Sequence, residues 1–272
     1  MGRDLNSENS ITIKAYFFGL LVIFASVYAQ YFIGGLNEIS GTLLVYGIPI
    51  LVTGLIWGRT VIRKSLNHLY VALKFGLGYF GAFTLLGTFA SIVILFILLE
   101  IDPTTVSLLN HPNPVIPTSP ERAWLMVGFS FLVVGPSEEY LFRGFIYGGL
   151  LSIFRNRHWL FLAFISSLLF ASVHLYYALV YGVASLVIFA DLITFGMAMA
   201  ATYYVSNGNL LIPSIVHGAY DASGFISVAT SFELGMMLRV SLTLIGLIVA
   251  IVLFVQKILT RQTKKSSENL HS

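Results

Sequence analysis

The sequence predicts an all-α membrane protein, a polytopic bundle of about eight transmembrane helices. Of its 272 residues, 57% are hydrophobic and only 10% are charged, and the mean hydropathy is +0.87. A soluble domain of this size needs far more polar surface. The chain also contains no cysteine, which excludes disulfides, thiolate zinc sites and cysteine nucleophiles.

The apolar residues fall into runs whose lengths approach the ~20 residues needed to cross a bilayer. The predicted spans cover residues 15–35, 41–58, 75–99, 122–150, 159–180, 182–205, 210–228 and 236–256. The basic start of the first run and its Val27-Tyr28-Ala29 triplet resemble a signal peptide. The run continues through Phe32 and Ile33, so we favour a retained helix.

The spans divide the chain into three parts of one membrane unit. Residues 1–120 hold three spans and an outer loop with five of the eight prolines, and residues 121–228 form the core. Residues 229–272 hold the last span and a tail from Lys257 that we expect to be solvated and cytoplasmic. At the end of the loop, Ser119 and Pro120 predict a capped helix start.

The distribution of Lys and Arg predicts that both termini are cytoplasmic. With the N-terminus inside, only Arg122 and Arg239 lie in outer segments or at the outer ends of the adjoining spans, and Arg143 lies deep within a span. The other twelve lie in inner segments: Arg3, Lys14, Arg59, Arg63, Lys64, Lys74, Arg155, Arg157, Lys257, Arg261, Lys264 and Lys265. This is the positive-inside pattern. The net charge of +3 therefore comes from basic residues that set the orientation in the membrane. We expect the lipid bilayer to surround this protein, and we do not expect it to bind nucleic acid.

Ionisable side chains inside the predicted spans are concentrated in the second half of the chain. They are Glu138, Glu139, Arg143, His174, Asp191, His217 and Asp221. Such groups cost ~2.5–3.5 kcal/mol each in a membrane helix, and they normally face the bundle interior. We therefore expect spans four to seven to build a site, and spans one to three and eight to provide packing or access.

The spacing of these residues predicts two pairs. Glu139 and Arg143 are four positions apart and share a helix face. Glu138 directly precedes Glu139, so its side chain points to a different side of the helix. His217 and Asp221 are also four apart. Taken singly, the Glu139–Arg143 pair could be a buried structural ion pair, and Asp191 could join two helices by a hydrogen bond. The whole cluster favours a site that carries chemistry.

Carboxylates and histidines in a membrane cavity suit the activation of water for hydrolysis. They also suit the proton relay of a transporter, but the chain lacks the related halves of that class. "DASGF" around Ser223 lacks the first glycine of the GxSG element of rhomboid-type proteases, and the GxGD element is missing too. No cofactor is expected, since HExxH is absent. Zn²⁺ is the alternative, with four possible ligands: Glu138, His174, His217 and Asp221.

Three motifs resemble those of the CPBP family of membrane proteases, which includes the type II CAAX prenyl endopeptidase and bacteriocin-processing proteins. "EEYLFR" from Glu138 resembles EExxxR, "FASVH" from Phe170 resembles FxxxH, and "HGAYD" from His217 resembles HxxxN/D. The motifs occur in the expected order within residues 120–228, each in an apolar run predicted to be a helix. The resemblance implies an intramembrane endopeptidase whose substrate is a peptide or protein at the membrane, and it makes residues 121–228 the catalytic core.

The resemblance also implies roles for the motif residues. Glu138 and His174 would activate the hydrolytic water, and Glu139 and Arg143 would support them. His217 and the residue at position 221 would form an oxyanion hole. The CAAX-processing members have Asn at that position, and an ionised Asp221 is instead a better metal ligand or partner for His217.

Proteins of this kind in a prokaryotic cytoplasmic membrane are linked to peptide maturation or bacteriocin immunity. We expect the same location here. A non-catalytic relative that keeps the fold and binds a partner is the remaining alternative from the sequence.

Overall fold

The computed structural model describes residues 11–33, 38–111, 113 and 117–269. In these ranges every regular element is helical and no strand occurs, which confirms the all-α class. We number the helices α1 (Ile13–Ala29), α2 (38–64), α3 (Leu69–Ile101), α4 (Pro103–Ser107), α5 (Pro120–Ile153), α6 (Trp159–Ser172), α7 (Tyr176–Tyr181), α8 (Ser185–Val205), α9 (Leu211–Ala229) and α10 (Phe232–Asn269).

The helices form a bundle with the surface of an integral membrane protein. Five helical stretches in the described ranges are long and apolar enough to cross a membrane: Ser40–Lys64, Leu69–Ile101, Pro120–Ile153, Tyr176–Val205 and Phe232–Arg261. Shorter apolar helices, α1 and α6, accompany them. Large apolar side chains point outward, among them Phe32, Leu55 and Leu132, which are at least 80% exposed. Such a surface is stable against lipid chains.

The predicted span 159–180 is not one helix. Helix α6 ends at Ser172, and a turn over residues 173–175 precedes α7. The backbone N–H of His174 donates to Ala171, and its ring Nδ1 lies 2.9 Å from the carbonyl oxygen of Phe170. The side chain thereby satisfies a carbonyl that the ending helix leaves without a backbone donor. His174 therefore stands in a turn, and the expectation that it lies within a helix is wrong.

The expected tail and the outer loop both contain helical residues in the structure. Helix α10 continues to Asn269, so most of the expected solvated tail is helical, and residues 270–272 lie outside the described residues. The outer loop contains the short helix α4, whose first turn is capped by Asp102 through the Thr104 amide at 3.0 Å. The predicted cap of α5 is confirmed, because the Arg122 amide donates to the Ser119 hydroxyl at 3.4 Å.

The segment that carries EEYLFR is wound largely as a π-helix. Residues Ser130–Val134 and Glu139–Tyr147 are π-helical, and the short stretch Gly135–Glu138 between them is α-helical. Pro136 has no N–H to donate to the preceding turn, which disturbs regular winding at this point. π-Helical stretches are rare and occur frequently at functional sites.

Helices α5 and α9 cross at a contact between glycines. A Cβ atom at Gly135 would lie 2.6 Å from the Ser214 carbonyl oxygen, and one at Gly218 would lie 2.8 Å from a ring carbon of Phe131. Only glycine lets the two backbones approach this closely. Because Gly135 precedes Glu138 by one turn and Gly218 follows His217, this contact sets the distance between two of the motifs.

The packed core includes helix α1. Tyr16 is 1% exposed, and its ring stacks on Phe145 of α5 with 5.7 Å between the centroids. Its hydroxyl donates to the Ile146 carbonyl at 3.0 Å. Phe145, Ile146 and Tyr147 are wholly buried. They fill the half of the bundle beyond the EEYLFR motif, so the motif lies above a solid apolar core.

Candidate active site

The motif residues from three parts of the chain line one cavity of about 440 Å³. Its polar lining includes Glu138, His174, His217 and Asp221 from the motifs, together with Tyr46, Asp191 and Arg239. Glu139 and Arg143 lie beneath the cavity and are 0% and 1% exposed. The structure thus places all six candidate residues in or directly beneath one cavity, although they come from α5, the turn after α6, and α9.

Glu139 and Arg143 form the expected pair. Their side chains approach to 3.1 Å, from Glu139 Oε1 to a terminal nitrogen of Arg143. The Arg143 guanidinium also lies over the Phe170 ring, 4.5 Å from its centroid. A cation on an aromatic face is attracted by the ring quadrupole. Phe170, the first residue of FASVH, therefore covers the buried charge and separates it from the cavity.

The imidazole of His217 is bracketed by the two adjacent glutamates. Its Nδ1 lies 2.7 Å from Glu139 Oε1, and its Nε2 lies 3.6 Å from Glu138 Oε2. An ionised carboxylate only accepts hydrogen bonds, so Nδ1 carries the proton in the contact with Glu139. Nε2 is then the nitrogen that faces the cavity. The sequence did not predict that Glu139 joins the EEYLFR motif to the HGAYD motif.

Asp221 lies on the same face of α9 as His217, as the spacing predicts. Its Oδ2 is 3.5 Å from His217 Nε2. This distance and the 3.6 Å to Glu138 Oε2 are longer than the usual hydrogen bond of 2.7–3.2 Å. Nε2 can therefore bond a further molecule placed between the two carboxylates.

Tyr46 is a site residue that the sequence reasoning missed. Its hydroxyl donates to Glu138 Oε1 at 2.8 Å from a π-helical stretch of α2. The expectation that the first three spans provide only packing or access is therefore wrong at this position. Tyr46 is not ionisable in the ordinary pH range, but a tyrosine inside an apolar span needs a partner for its hydroxyl. That need is the signal in the sequence that points to Tyr46.

Helix α10 also contributes to the cavity, which corrects the same expectation for span eight. Arg239 lies within this helix, where its guanidinium stacks on the Tyr220 ring at 4.4 Å and its Nε donates to the Ser223 hydroxyl at 3.2 Å. Asp191 accepts a hydrogen bond from Ser91 of α3 at 3.2 Å. Asp191 thus joins two helices by a hydrogen bond, the structural role that the sequence analysis left open for it. It also lines the cavity.

Metal binding was the alternative use of the same donors. Over the part of the chain that the structure describes, no group of three or more histidine, aspartate and glutamate side chains is arranged to hold a metal ion. Binding of Zn²⁺ through Glu138, His174, His217 and Asp221 stays a prediction for experiment.

Comparison with known proteins identifies the segment that holds the motifs. Residues 120–223 match the family model described as Type II CAAX prenyl endopeptidase Rce1-like. The match begins at the first residue of α5 and contains EEYLFR, FASVH and HGAYD. No curated protein and no solved structure shows a significant match. At the family level, the segment 120–223, which supplies most of the cavity lining, is therefore similar to Rce1-like, CAAX-type membrane proteases, consistent with the CPBP family that the motifs resemble.

Proposed function

We propose that the protein is an intramembrane endopeptidase that hydrolyses a membrane-associated peptide or protein with water activated by Glu138 and His174. The observation that carries this proposal is the unequal surroundings of the two Glu138 oxygens. Oε1 accepts the Tyr46 hydroxyl at 2.8 Å, whereas Oε2 faces the cavity at 3.6 Å from His217 Nε2. One oxygen is held and the other is open to a water molecule, as a general base requires.

In this proposal Glu138 takes a proton from the water, whose oxygen attacks the substrate carbonyl carbon. The carbon–nitrogen bond then breaks, and the proton passes from Glu138 to the leaving amine. His174 holds the attacking water. Its Nδ1–H donates to the Phe170 carbonyl, because a carbonyl only accepts. Nε2 of the neutral ring is then the nitrogen left to accept a hydrogen bond from the water.

His217 stabilises the tetrahedral oxyanion. In our proposal both ring nitrogens carry protons: Nδ1–H is fixed on Glu139 at 2.7 Å, and Nε2–H is offered to the oxyanion. Arg143 holds Glu139 at 3.1 Å, so the pair orients His217 from below. Asp221, 3.5 Å from Nε2, orients the ring and does not itself donate to the oxyanion. In this proposal His217, one turn before position 221, makes the hydrogen bond to the oxyanion, and Asp221 does not.

The test is cleavage of a diverse peptide mixture by the purified protein in detergent, in water enriched in ¹⁸O. We expect new peptide termini that carry ¹⁸O in the new carboxyl group. The His174→Gln variant should form them about a hundredfold more slowly, the order of effect for a group that assists proton transfer. The control is His111→Gln, because His111 is exposed in the outer loop. Equal rates for wild type and His174→Gln would overturn the assigned role.

The same assay decides between metal-free and metal-dependent chemistry. Cleavage that survives EDTA supports water activation by Glu138 and His174 alone. Cleavage that is lost in EDTA and restored by Zn²⁺ would instead assign the four cavity ligands to a metal. A wild-type protein that cuts no peptide in the mixture, with or without Zn²⁺, would contradict the proposed endopeptidase activity for such substrates.

A further inference from the structure

We infer that the cavity opens toward the extracytoplasmic side of the membrane and takes its peptide segments from that side. That these peptide segments are substrates rests on the proposed function. The side to which the cavity opens is a property of the fold, and it can be measured without any cleavage. Two sets of observations carry the inference: the distribution of charge over the two ends of the bundle, and the depth of the cavity along each helix.

One end of the bundle gathers the turns that are rich in Lys and Arg. The turn after α2 and the turn before α9 meet there, since the Leu210 amide donates to the Ser65 carbonyl at 2.9 Å. The start of α6 joins them, because Trp159 stacks on Tyr204 of α8 with 4.6 Å between centroids. This basic end carries Arg59, Arg63, Lys64, Lys74, Arg155 and Arg157. By the positive-inside rule, the basic end is cytoplasmic.

The opposite end has no basic residue in its connections. It includes the described residues of the loop 102–119, the turn 182–184 between α7 and α8, and residues 230–231 between α9 and α10. None of these segments contains Lys or Arg. The loop contacts α7 at His111, whose carbonyl accepts a hydrogen bond from the Tyr181 hydroxyl at 3.4 Å. We call this the loop end, and the same rule places it outside the cytoplasm.

The cavity occupies the half of the bundle next to the loop end. Asn113 of the outer loop itself lines it, as do Met126 early in α5 and Ile188 at the start of α8. The lining extends to Glu138 and His217, which lie near the middle of their helices. At ~1.5 Å per residue, a cavity that reaches from the loop to mid-helix spans roughly the outer half of a membrane.

Among the described residues, a packed core separates the cavity from the basic end. Below the cavity lie the buried Glu139–Arg143 pair and the Phe170 ring that covers it. Farther along α5, Phe145 and Ile146 are 0% exposed. A peptide from the cytoplasm would therefore meet an apolar core and a basic surface, whereas one from the other side meets the loop end and the open cavity. The fitting substrates are segments in the outer leaflet or beyond it.

The absence of cysteine from the chain allows a direct test with single-cysteine variants. We would place one cysteine in the cavity (Met126→Cys), one on the neighbouring lipid-facing position (Leu125→Cys), one in the outer loop (Ser107→Cys) and one at the basic end (Asn156→Cys). Leu125 is 74% exposed toward lipid at nearly the depth of Met126, so it is the matched control for the cavity. Intact cells that express each variant are treated with a charged, membrane-impermeant thiol reagent.

The expected result is labelling of Ser107→Cys and Met126→Cys in intact cells, no labelling of Leu125→Cys, and labelling of Asn156→Cys only after permeabilisation. Labelling of Asn156→Cys but not Ser107→Cys in intact cells would reverse the orientation and overturn the inference. Labelling of Met126→Cys only after permeabilisation, or under neither condition, would also overturn it. Because no step requires hydrolysis, failure of the inference is distinct from failure of the proposed peptidase activity.

Discussion

At the scale of single residues, the His217 ring joins the elements of the candidate site. The sequence predicts the Glu139–Arg143 pair and the shared face of His217 and Asp221, and both occur, at 3.1 Å and 3.5 Å. The contact that unites them is His217 Nδ1 with Glu139 at 2.7 Å, between residues 78 positions apart. Spacing along one helix predicts contacts on that helix, but it carries no information about which face meets another helix.

The Tyr46–Glu138 hydrogen bond yields a prediction at this scale. A hydrogen bond to a charged group contributes about 1.5–3 kcal/mol, so Tyr46→Phe should lower kcat roughly tenfold to a hundredfold, since each 1.36 kcal/mol is a factor of ten. KM should change little, because the hydroxyl holds Glu138 and not the substrate. The measurement is steady-state cleavage of a defined peptide. The control is Tyr70→Phe, at a position 75% exposed on α3; a kcat unchanged by Tyr46→Phe would show that Glu138 needs no such support.

Asp221 gives a second prediction, because the motif that HGAYD resembles has Asn at this position in the CAAX-processing proteins. If Asp221 orients His217 through an acceptor oxygen 3.5 Å from Nε2, an amide oxygen can replace the carboxylate. We expect Asp221→Asn to keep peptide cleavage within about tenfold of wild type, and Asp221→Leu, which removes the acceptor, to lose at least ten times more. Loss of all cleavage in Asp221→Asn would show that the negative charge itself is required, as for a metal ligand.

At the scale of elements, hydrophobic runs locate the helices but not their interruptions. The run at 159–180 is apolar nearly throughout, yet the chain turns at residues 173–175, where the His174 ring binds the Phe170 carbonyl. The run at 41–58 is the middle of a longer helix that reaches Lys64. Apolar periodicity responds to burial and to lipid exposure alike. Apolar periodicity does not reveal where a side chain takes the place of a backbone N–H as the partner of a carbonyl.

The crossing of α5 and α9 gives a prediction for these elements. A Cβ atom at Gly135 would lie 2.6 Å from a backbone oxygen of α9, so Gly135→Ala must push the helices apart. This should lower thermal stability and reduce cleavage at least tenfold, because it separates Glu138 from His217, and misplacement by ~1 Å costs about a hundredfold in rate. Gly128→Ala is the matched control on the same helix, since nothing lies within 4 Å of its added Cβ. Equal stability and activity of the two variants would contradict the close crossing.

At the scale of the whole molecule, the composition predicts an integral membrane bundle, and the structure confirms it. Which helices contribute residues to the site was less predictable. The sequence places the site in the second half of the chain, where the ionisable residues lie, but Tyr46 of the first half holds Glu138. Helix α1 packs against α5 through Tyr16 and Phe145. Neither contact has a local signal, because both depend on how distant helices are arranged around the bundle.

The position of α1 in the core leads to a prediction about the mature protein. Tyr16 is 1% exposed and Phe17 is 56% exposed, so they form a matched pair on neighbouring positions. Truncation of a buried aromatic side chain costs about 3–5 kcal/mol. Tyr16→Ala should therefore lower the thermal unfolding temperature of the purified protein in detergent, whereas Phe17→Ala should leave it nearly unchanged. A mature protein unaffected by Tyr16→Ala would indicate that α1 is removed, as a signal peptide would be.

The most direct test of the central claim is the rate of peptide cleavage by wild type beside Glu138→Gln. The glutamine keeps the size of the side chain and its acceptor for Tyr46, but it cannot take a proton from water. We expect cleavage to fall by about 10²–10⁴, the contribution of a positioned general base. Glu121→Gln, in the exposed first turn of the same helix, should retain the wild-type rate. Equal cleavage by wild type and Glu138→Gln would show that Glu138 is not the base and would contradict the proposed mechanism.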